Sequence, residues 1–509
     1  MRSENKEPAR QDVFDRIFHP GSIAIIGVSS KGNVFGSGIF NALVAIGYEG
    51  SIYGVNPKGG EYCGRKLYRS VQEIPEPIDF AIIAVPAEHV PKALEDCRLK
   101  GAAGAEILSS GFSELGTPEG LRLEREIRDI CSRGIRVVGP NCFGIYCPRS
   151  GLTLLPGPDL SRESGPVGFV SQSGGMSIDF AHIGKWMGVG LSKVVSFGNG
   201  ADLRETELLS YLGNDPETKV IAMYIEGVED GARFFSVLKD VAAKKPVIIN
   251  KGGLSESGSR AVASHTASMG GSSRIWQAVM SQSGAIQVGD LWEMAEVCHA
   301  FSLLPERAYR NITVAGGGGA LGVSACDTAE RYGLGIPMLD PAISEKILDF
   351  LPKPGSSAKN PIDAANPYVS PQAYREIFLH AAQDPRVDLQ ILVLLLHHYK
   401  PLAMGFGIDF VKDIAPYREM AEMASEVSAK TGKPLMLVLP NFRQGMDSLD
   451  IEELIRDTRS AFLSRGIPVF NDLVSALRAL SHVAGYYAQR SPGGILKKSV
   501  DPISAILPA

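Results

Sequence analysis

One histidine has the setting for chemistry. His265 lies in a small, polar, glycine- and serine-rich stretch, residues 251–271, that follows an apolar run and precedes a helical one. The stretch reads as a loop without an apolar face against which an imidazole could pack. Neutral imidazole is a competent nucleophile towards phosphorus near pH 7. The phosphoryl group it would carry needs partial positive charge nearby, which helix N-termini and loop amides supply without a captured cation. Two stretches could provide such amides: Ser171-Gln172-Ser173-Gly174, at a strand-to-helix junction, and Gly270-Gly271. The first is equally readable as a plain serine cap. The apolar run 219–225 ends in Glu226. A carboxylate at a strand's C-terminal edge can accept the second ring N–H of a histidine, fixing its tautomer and strengthening the attacking nitrogen.

A second group of residues suggests a nucleotide-like ligand. Gly27 closes an apolar run, Ser29 and Ser30 follow, and Gly32, Gly36 and Gly38 precede a helix. That arrangement aims backbone N–H groups at an anion. The spacing departs from G-x-G-x-x-G, and the next strand runs into Asn56-Pro57-Lys58 without an acidic residue, which argues against a nicotinamide dinucleotide. Lys58 suits a ligand with phosphates near its ribose. Val85-Pro86, Ser109-Ser110 and Gly139-Pro140-Asn141 end further apolar runs in the same manner. Open α/β sheets bind ligands at this edge.

The elements that must hold these residues follow from the apolar runs. Short buried-strand segments at 22–28, 51–55, 79–85, 104–110 and 135–140 alternate with amphipathic stretches. A second set runs at 166–171, 191–197, 219–225 and 246–250, and a third at 311–322, 389–396 and 434–440. This alternation predicts parallel sheets covered by helices. The expected organisation is an α/β chain of three doubly wound domains at residues 10–148, 160–303 and 310–490, with a tail at 491–509. His397 and His398 end a buried run in the third set; no metal-ligand spacing surrounds them, and strand-end packing is their simpler reading.

Bulk properties narrow the function classes. Lys and Arg total 51 against 56 Asp and Glu, a net charge of −5, which argues against a nucleic-acid binder. Seven cysteines without C-x-x-C spacing suit reduced thiols and a cytoplasmic protein. The longest purely apolar run, 391–396, is far too short to span a bilayer, so no membrane partner is expected.

The segments GVSS, NPK, VPA, SSGFSE and GPNCFG resemble the CoA-binding domain of the succinyl-CoA synthetase alpha subunit and of the NDP-forming (ADP-forming) acyl-CoA synthetases. SHTASMGG, YIEG and SFGNGADLRETELLSYLGNDP resemble the phosphohistidine region of the same family, with Ala267 where glycine is common. Residues 311–490 resemble, more loosely, the extra flavodoxin-like domain of the ADP-forming enzymes. The resemblance implies a Rossmann-like CoA-binding domain followed by two flavodoxin-like ones. It places CoA against Gly27, Ser29, Ser30, Gly36, Asn56, Lys58, Val85, Pro86, Ser110 and Asn141. It makes His265 the phosphoryl carrier and Glu226 its partner, with Ser171, Gln172, Ser173, Gly174, Gly270 and Gly271 around the phosphate and no metal ligands on this chain. The implied activity is an acid–thiol ligase that interconverts acyl-CoA, ADP and phosphate with a carboxylic acid, CoA and ATP. The ATP-grasp module, with ADP or ATP and Mg2+, is then expected on a separate beta subunit. A non-catalytic CoA-binding scaffold is the alternative; His265 and Glu226 count against it.

Overall fold

The computed structural model describes residues 7–32, 34–153, 159–266 and 272–490. The chain divides into two compact units, residues 1–298 and 299–509.

The first unit contains two sheets. In the first, β1 (Ser22–Ile26), β2 (Ser51–Val55), β5 (Phe80–Ile83), β6 (Gly104–Ile107) and β7 (Arg136–Val138) are parallel. A short hairpin, β3 (Gly60–Tyr62) and β4 (Arg65–Tyr68), extends the edge beside β2. The strand order β3-β4-β2-β1-β5-β6-β7 places the change of winding direction between β1 and β5. The second sheet has order β13-β12-β11-β9-β10-β8. It comprises β8 (Gly144–Tyr146), antiparallel to its neighbour, and the parallel strands β9 (Ser164–Ser171), β10 (Leu191–Ser196), β11 (Val220–Ile225), β12 (Val247–Lys251) and β13 (Ile286–Val288). Its change of direction falls between β9 and β11. Uniformly apolar strands form these sheets because helices cover both faces and neither face meets water.

The two sheets share one core, which joins Ile23 and Phe80 to Val170 and Ile221. Polar contacts lock the joint. Arg136 makes a two-pronged ion pair with Asp202 at 2.8 and 3.1 Å, and Leu203 N–H donates to the Val137 carbonyl. Phe14 and Phe18 stack on Tyr211 at 4.6 and 4.7 Å, tying the helix Glu7–Phe18 to the helix Glu205–Asn214. Glu106 on β6 is buried, 2% exposed, and accepts a hydrogen bond from Ile145 N–H at the start of β8. Burial pushes its carboxyl up to about 8, with that hydrogen bond acting in the opposite direction.

The second unit holds a parallel sheet of β14 (Ile312–Gly316), β15 (Leu389–Val393), β16 (Leu435–Val438) and β17 (Val469–Phe470). Ile362 bridges to Ala315 on the free side of β14. With that segment counted second, the order is 2-1-3-4-5, the flavodoxin-like winding expected from the sequence. Within this unit His299 is fully buried; its Nε2 accepts from Val469 N–H, and burial, with Arg459 adding, holds the ring neutral with a pKa near 3.

The Glu106 carboxyl generates a stability prediction. The folded chain keeps its proton up to about pH 8, whereas the unfolded chain releases it near 4.5. Its contribution to stability is therefore full below 4.5 and is lost as pH rises to 8. Replacing Glu106→Gln keeps the acceptor for Ile145 and removes the titration. Between pH 5 and 8, the wild-type unfolding midpoint should fall by roughly 2–4 °C more than the variant's, read by thermal melts across pH.

Candidate functional site

In the first sheet, the expected CoA-binding residues all lie at the C-terminal strand edge or at the helix start above it. β1 ends at Gly27, whose φ of +108° suits glycine. A Cβ there would sit 2.3 Å from the Ala84 carbonyl oxygen, so β1 and β5 can close at the change of direction only around a glycine. Gly36 lies in the first turn of the helix Phe35–Ile46 and packs directly on the Gly27 carbonyl. Among the described residues, no side chain caps this helix. Ser37 Oγ instead reaches back to accept from Ser29 N–H at 3.0 Å, which shapes the turn bearing Ser29 and exposed Ser30. Asn56 donates to the Val28 carbonyl at 2.7 Å and accepts from Lys58 N–H at 2.9 Å, joining the ends of β1 and β2. Lys58 is exposed and, among the described residues, forms no ion pair. Val85, Pro86 and Ser110 follow β5 and β6, and Asn141 N–H donates to the Ser109 carbonyl at 2.9 Å. The result is an open, polar rim that includes the exposed Lys58 ammonium group.

The second sheet brings Glu226 and the Ser171–Gly174 turn together. Both stand at the end of neighbouring parallel strands, β11 and β9, where the winding reverses. Gln172 makes the link: its Oε1 accepts from Glu226 N–H at 2.9 Å and from Gly227 N–H at 3.1 Å. Its own N–H donates to the Tyr224 carbonyl. Ser173 caps the helix Gly174–Met187, and Ser171 Oγ bridges the Ser173 carbonyl and N–H. The serine-cap reading therefore holds at Ser173. Glu226 is 7% exposed. Its Oε1 accepts from the Tyr224 hydroxyl at 3.2 Å, while Oε2 is buried with no hydrogen-bond partner among the described residues.

The stretch carrying His265 differs from the sequence expectation. Residues 256–266 form a helix, Glu256–Thr266, rather than a loop. Ser255 Oγ accepts from Gly258 N–H at its start, Ser259 Oγ donates back to the Gly253 carbonyl, and Val262 packs against Gly253. These local ties outweigh the weak helix propensity of serine and glycine. The helix runs beside the turn Ser113–Leu115 of the first sheet's rim. His265 belongs to its last turn; its side chain, and Gly270 and Gly271 altogether, lie outside the described residues.

Four residues emerge that the motifs did not single out. Asn199 donates to Glu114 at 2.6 Å and to Glu124 at 3.0 Å, and it pairs with Asn141, so it stitches the first rim to the loop after β10. Tyr224 and Lys251 flank Glu226. A tyrosine two residues before the carboxylate on one strand, and a lysine ending an otherwise apolar run, were the available signals. Phe143, in the segment joining β7 to β8, packs on Gly174 at the helix start of the second site and connects the two rims. His397 and His398 lie in the second unit, 4.2 Å apart between ring centres, with Phe442 edge-on to His397. Burial lowers the His397 pKa, and His398 and Arg443 lower it further. Among the described residues, no three His, Cys, Asp or Glu side chains converge as metal ligands, and no helix is long and apolar enough to cross a membrane.

Comparison with known proteins gives these sites a context. Residues 21–148 match a CoA binding domain family, and residues 164–301 match the succinyl-CoA ligase like flavodoxin domain. The chain is 36% identical over 475 residues to the acetate–CoA ligase (ADP-forming) I subunit alpha of Pyrococcus furiosus, covering 92% of this chain and 96% of that one. It is 36% identical to the acetate–CoA ligase (ADP-forming) I of Archaeoglobus fulgidus, spanning 96% of this chain and 66% of that longer protein. A solved acetyl-coenzyme A synthetase 1 of Candidatus Korarchaeum cryptofilum, described as dinucleotide forming and in complex with phosphate and ADP, superimposes with a TM-score of 0.78 at 29% identity. That match covers 94% of this chain and 97% of the other. Two rims on successive parallel sheets, the order of the matched domains and near end-to-end similarity to an alpha subunit lead to one assignment: the chain belongs to the ADP-forming acyl-CoA synthetases, as an alpha-type ligase subunit.

Proposed function

We propose that this chain carries out the CoA and phosphohistidine steps of an acyl-CoA synthetase cycle, with His265 as phosphoryl carrier and Glu226 as its partner. The buried Oε2 of Glu226, without a hydrogen-bond partner among the described residues, carries the reading. A carboxylate oxygen withdrawn from water and left without a donor needs one, and an imidazole N–H supplies it.

CoA lies along the first rim, against Gly27, Ser29, Ser30, Gly36, Asn56, Val85, Pro86, Ser110 and Asn141, with the Lys58 ammonium at its phosphates. In the direction of acyl-CoA use, a phosphate oxygen attacks the thioester carbonyl. The C–S bond breaks, CoA leaves as thiolate and takes a proton, and an acyl phosphate forms. The free imidazole nitrogen of His265 then attacks phosphorus, and the carboxylate departs as the P–O bond breaks. Glu226 holds the other ring N–H, keeping the attacking nitrogen unprotonated and stabilising the charge that develops on the ring. The turn at Ser171, Gln172, Ser173 and Gly174 and the following helix start offer N–H groups to the phosphoryl oxygens, and Gly270 and Gly271 are assigned the same role. Phosphoryl transfer depends mainly on positioning and charge, so such groups suffice. An oxygen of the terminal phosphate of ADP finally takes the phosphoryl group, the P–N bond breaks and the imidazole is restored. The nucleotide and its Mg2+ sit on an ATP-grasp beta subunit, consistent with relatives named as alpha subunits. The cycle reversed makes acyl-CoA from a small carboxylic acid, CoA and ATP in the cytoplasm.

Two outcomes test this. The chain, assembled with its nucleotide-binding partner and given ATP labelled at the terminal phosphate, should become labelled in acid-labile, base-stable form. His265→Ala should abolish the label, and Glu226→Gln should slow labelling on the order of a hundredfold; wild-type labelling in either variant rejects the assignment. Separately, Lys58→Ala should weaken CoA binding by about tenfold in calorimetry, with a shallower dependence on salt, as expected for one lost ammonium–phosphate contact.

A further inference from the structure

We infer that Tyr224 and Lys251 are positioning residues for the phosphoryl transfer, and that together they present Glu226 with one committed oxygen and one free one. The inference rests on the role of Glu226 proposed above and extends it to side chains that never touch the phosphate.

The environment of Glu226 is asymmetric. Tyr224 precedes it by two residues on β11, so both side chains leave the strand on one face. The phenol donates to Oε1 at 3.2 Å, and Oε2 has no partner among the described residues. Burial, reinforced by the Glu226 carboxylate, pushes the phenol up to about 12, so at neutral pH it is a proton donor and never a competing anion. The exit of β12 closes over this pair. A Cβ at Gly252 would lie 2.7 Å from the Tyr224 hydroxyl oxygen and 3.4 Å from Glu226 Cγ, so the backbone itself restricts both side chains.

Lys251 fixes the same carboxylate through its main chain. It ends β12 and is 6% exposed; its Nζ donates to the Glu226 carbonyl at 2.9 Å and to the Gly252 carbonyl. Among the described residues it forms no ion pair, and its ammonium stands 5.3 Å from the centre of the Trp276 ring. Burial lowers its pKa, and the Glu226 carboxylate opposes that shift. A buried cation placed on carbonyls rather than on a carboxylate is costly for stability alone. Here it ties the ends of β11 and β12 together beneath Glu226. It does so without neutralising the carboxylate or filling Oε2. A carboxylate held only for packing would have both oxygens satisfied.

The test uses the enzyme assembled with its nucleotide-binding partner, radiolabelled ATP and CoA. Tyr224→Phe should lower kcat and the rate of histidine labelling by about tenfold while KM for CoA stays within about twofold, the pattern of a group acting only on the chemical step. In a Glu226→Gln background the same change should have no further effect, because the positioned carboxylate is already gone. Lys251→Met should slow labelling similarly, and Lys251→Arg should restore part of the rate. Wild-type labelling by Tyr224→Phe, or losses that add fully to those of Glu226→Gln, would overturn the inference. Wild-type labelling by Glu226→Gln itself would instead overturn the role of Glu226, so the two failures are distinguishable. A Tyr224→Phe variant that loses thermal stability leaves the decision to the Lys251→Met and Lys251→Arg pair, in which absent rescue counts against positioning.

Discussion

A buried carboxylate with one oxygen unpaired among the described residues is the constraint around which the first unit is arranged. Glu226 can be held in that state only because the change of winding direction puts the ends of β9 and β11 side by side. Gln172 then satisfies the two N–H groups that follow β11, Tyr224 takes one carboxylate oxygen, and Lys251 takes the carbonyl. These contacts hold the strand end, and the remaining carboxylate oxygen is what the arrangement makes available. In a low-dielectric setting such an oxygen binds a donor far more strongly than it would in water.

The same geometry recurs on the first sheet with a different outcome. There the change of direction brings Gly27 against Ala84, and glycine at that point lets the backbone itself line the opening. Among the described residues, no acidic residue directly follows β1 or β2, and Lys58 stands exposed at the rim without an ion pair. One rim is thus built for an extended, phosphate-bearing ligand and the other for a small reactive group. The segment from Gly139 to Phe143 joins them: it ends β7, carries Asn141, leads into β8 and lays Phe143 against the helix start at Gly174. Asn199, clasped by Glu114, Glu124 and Asn141, and the Arg136–Asp202 pair keep that joint in register. Glu106 lies buried in the same joint, so the proton it retains is part of what keeps the two rims together.

The strands that hold both rims were legible because a strand buried on both faces is a short apolar run, and many of these runs end in glycine, serine or asparagine. The motifs at those ends identified the rims for the same reason. Short elements escaped: the hairpin β3–β4, the edge strands β8 and β13, and two-residue β17 carry too few side chains for a period to register. The helix Glu256–Thr266 escaped because serine and glycine favour loops locally. Its caps to Ser255 and Gly253, and Val262 packed on Gly253, are contacts that composition does not reveal.

The sequence by itself determined the α/β class, the order of the matched domains and the residue types with reactive chemistry, because apolar patterning, turn glycines and side-chain type are local properties. Only the tertiary structure decided which of those residues meet. The crossover that sets Gln172 beside Glu226 pairs strands some fifty residues apart, and the choice of which Glu226 oxygen is filled depends on Tyr224, Gly252 and Lys251 converging from two strands. Strand order is a long-range outcome of packing, and no period in the chain encodes it.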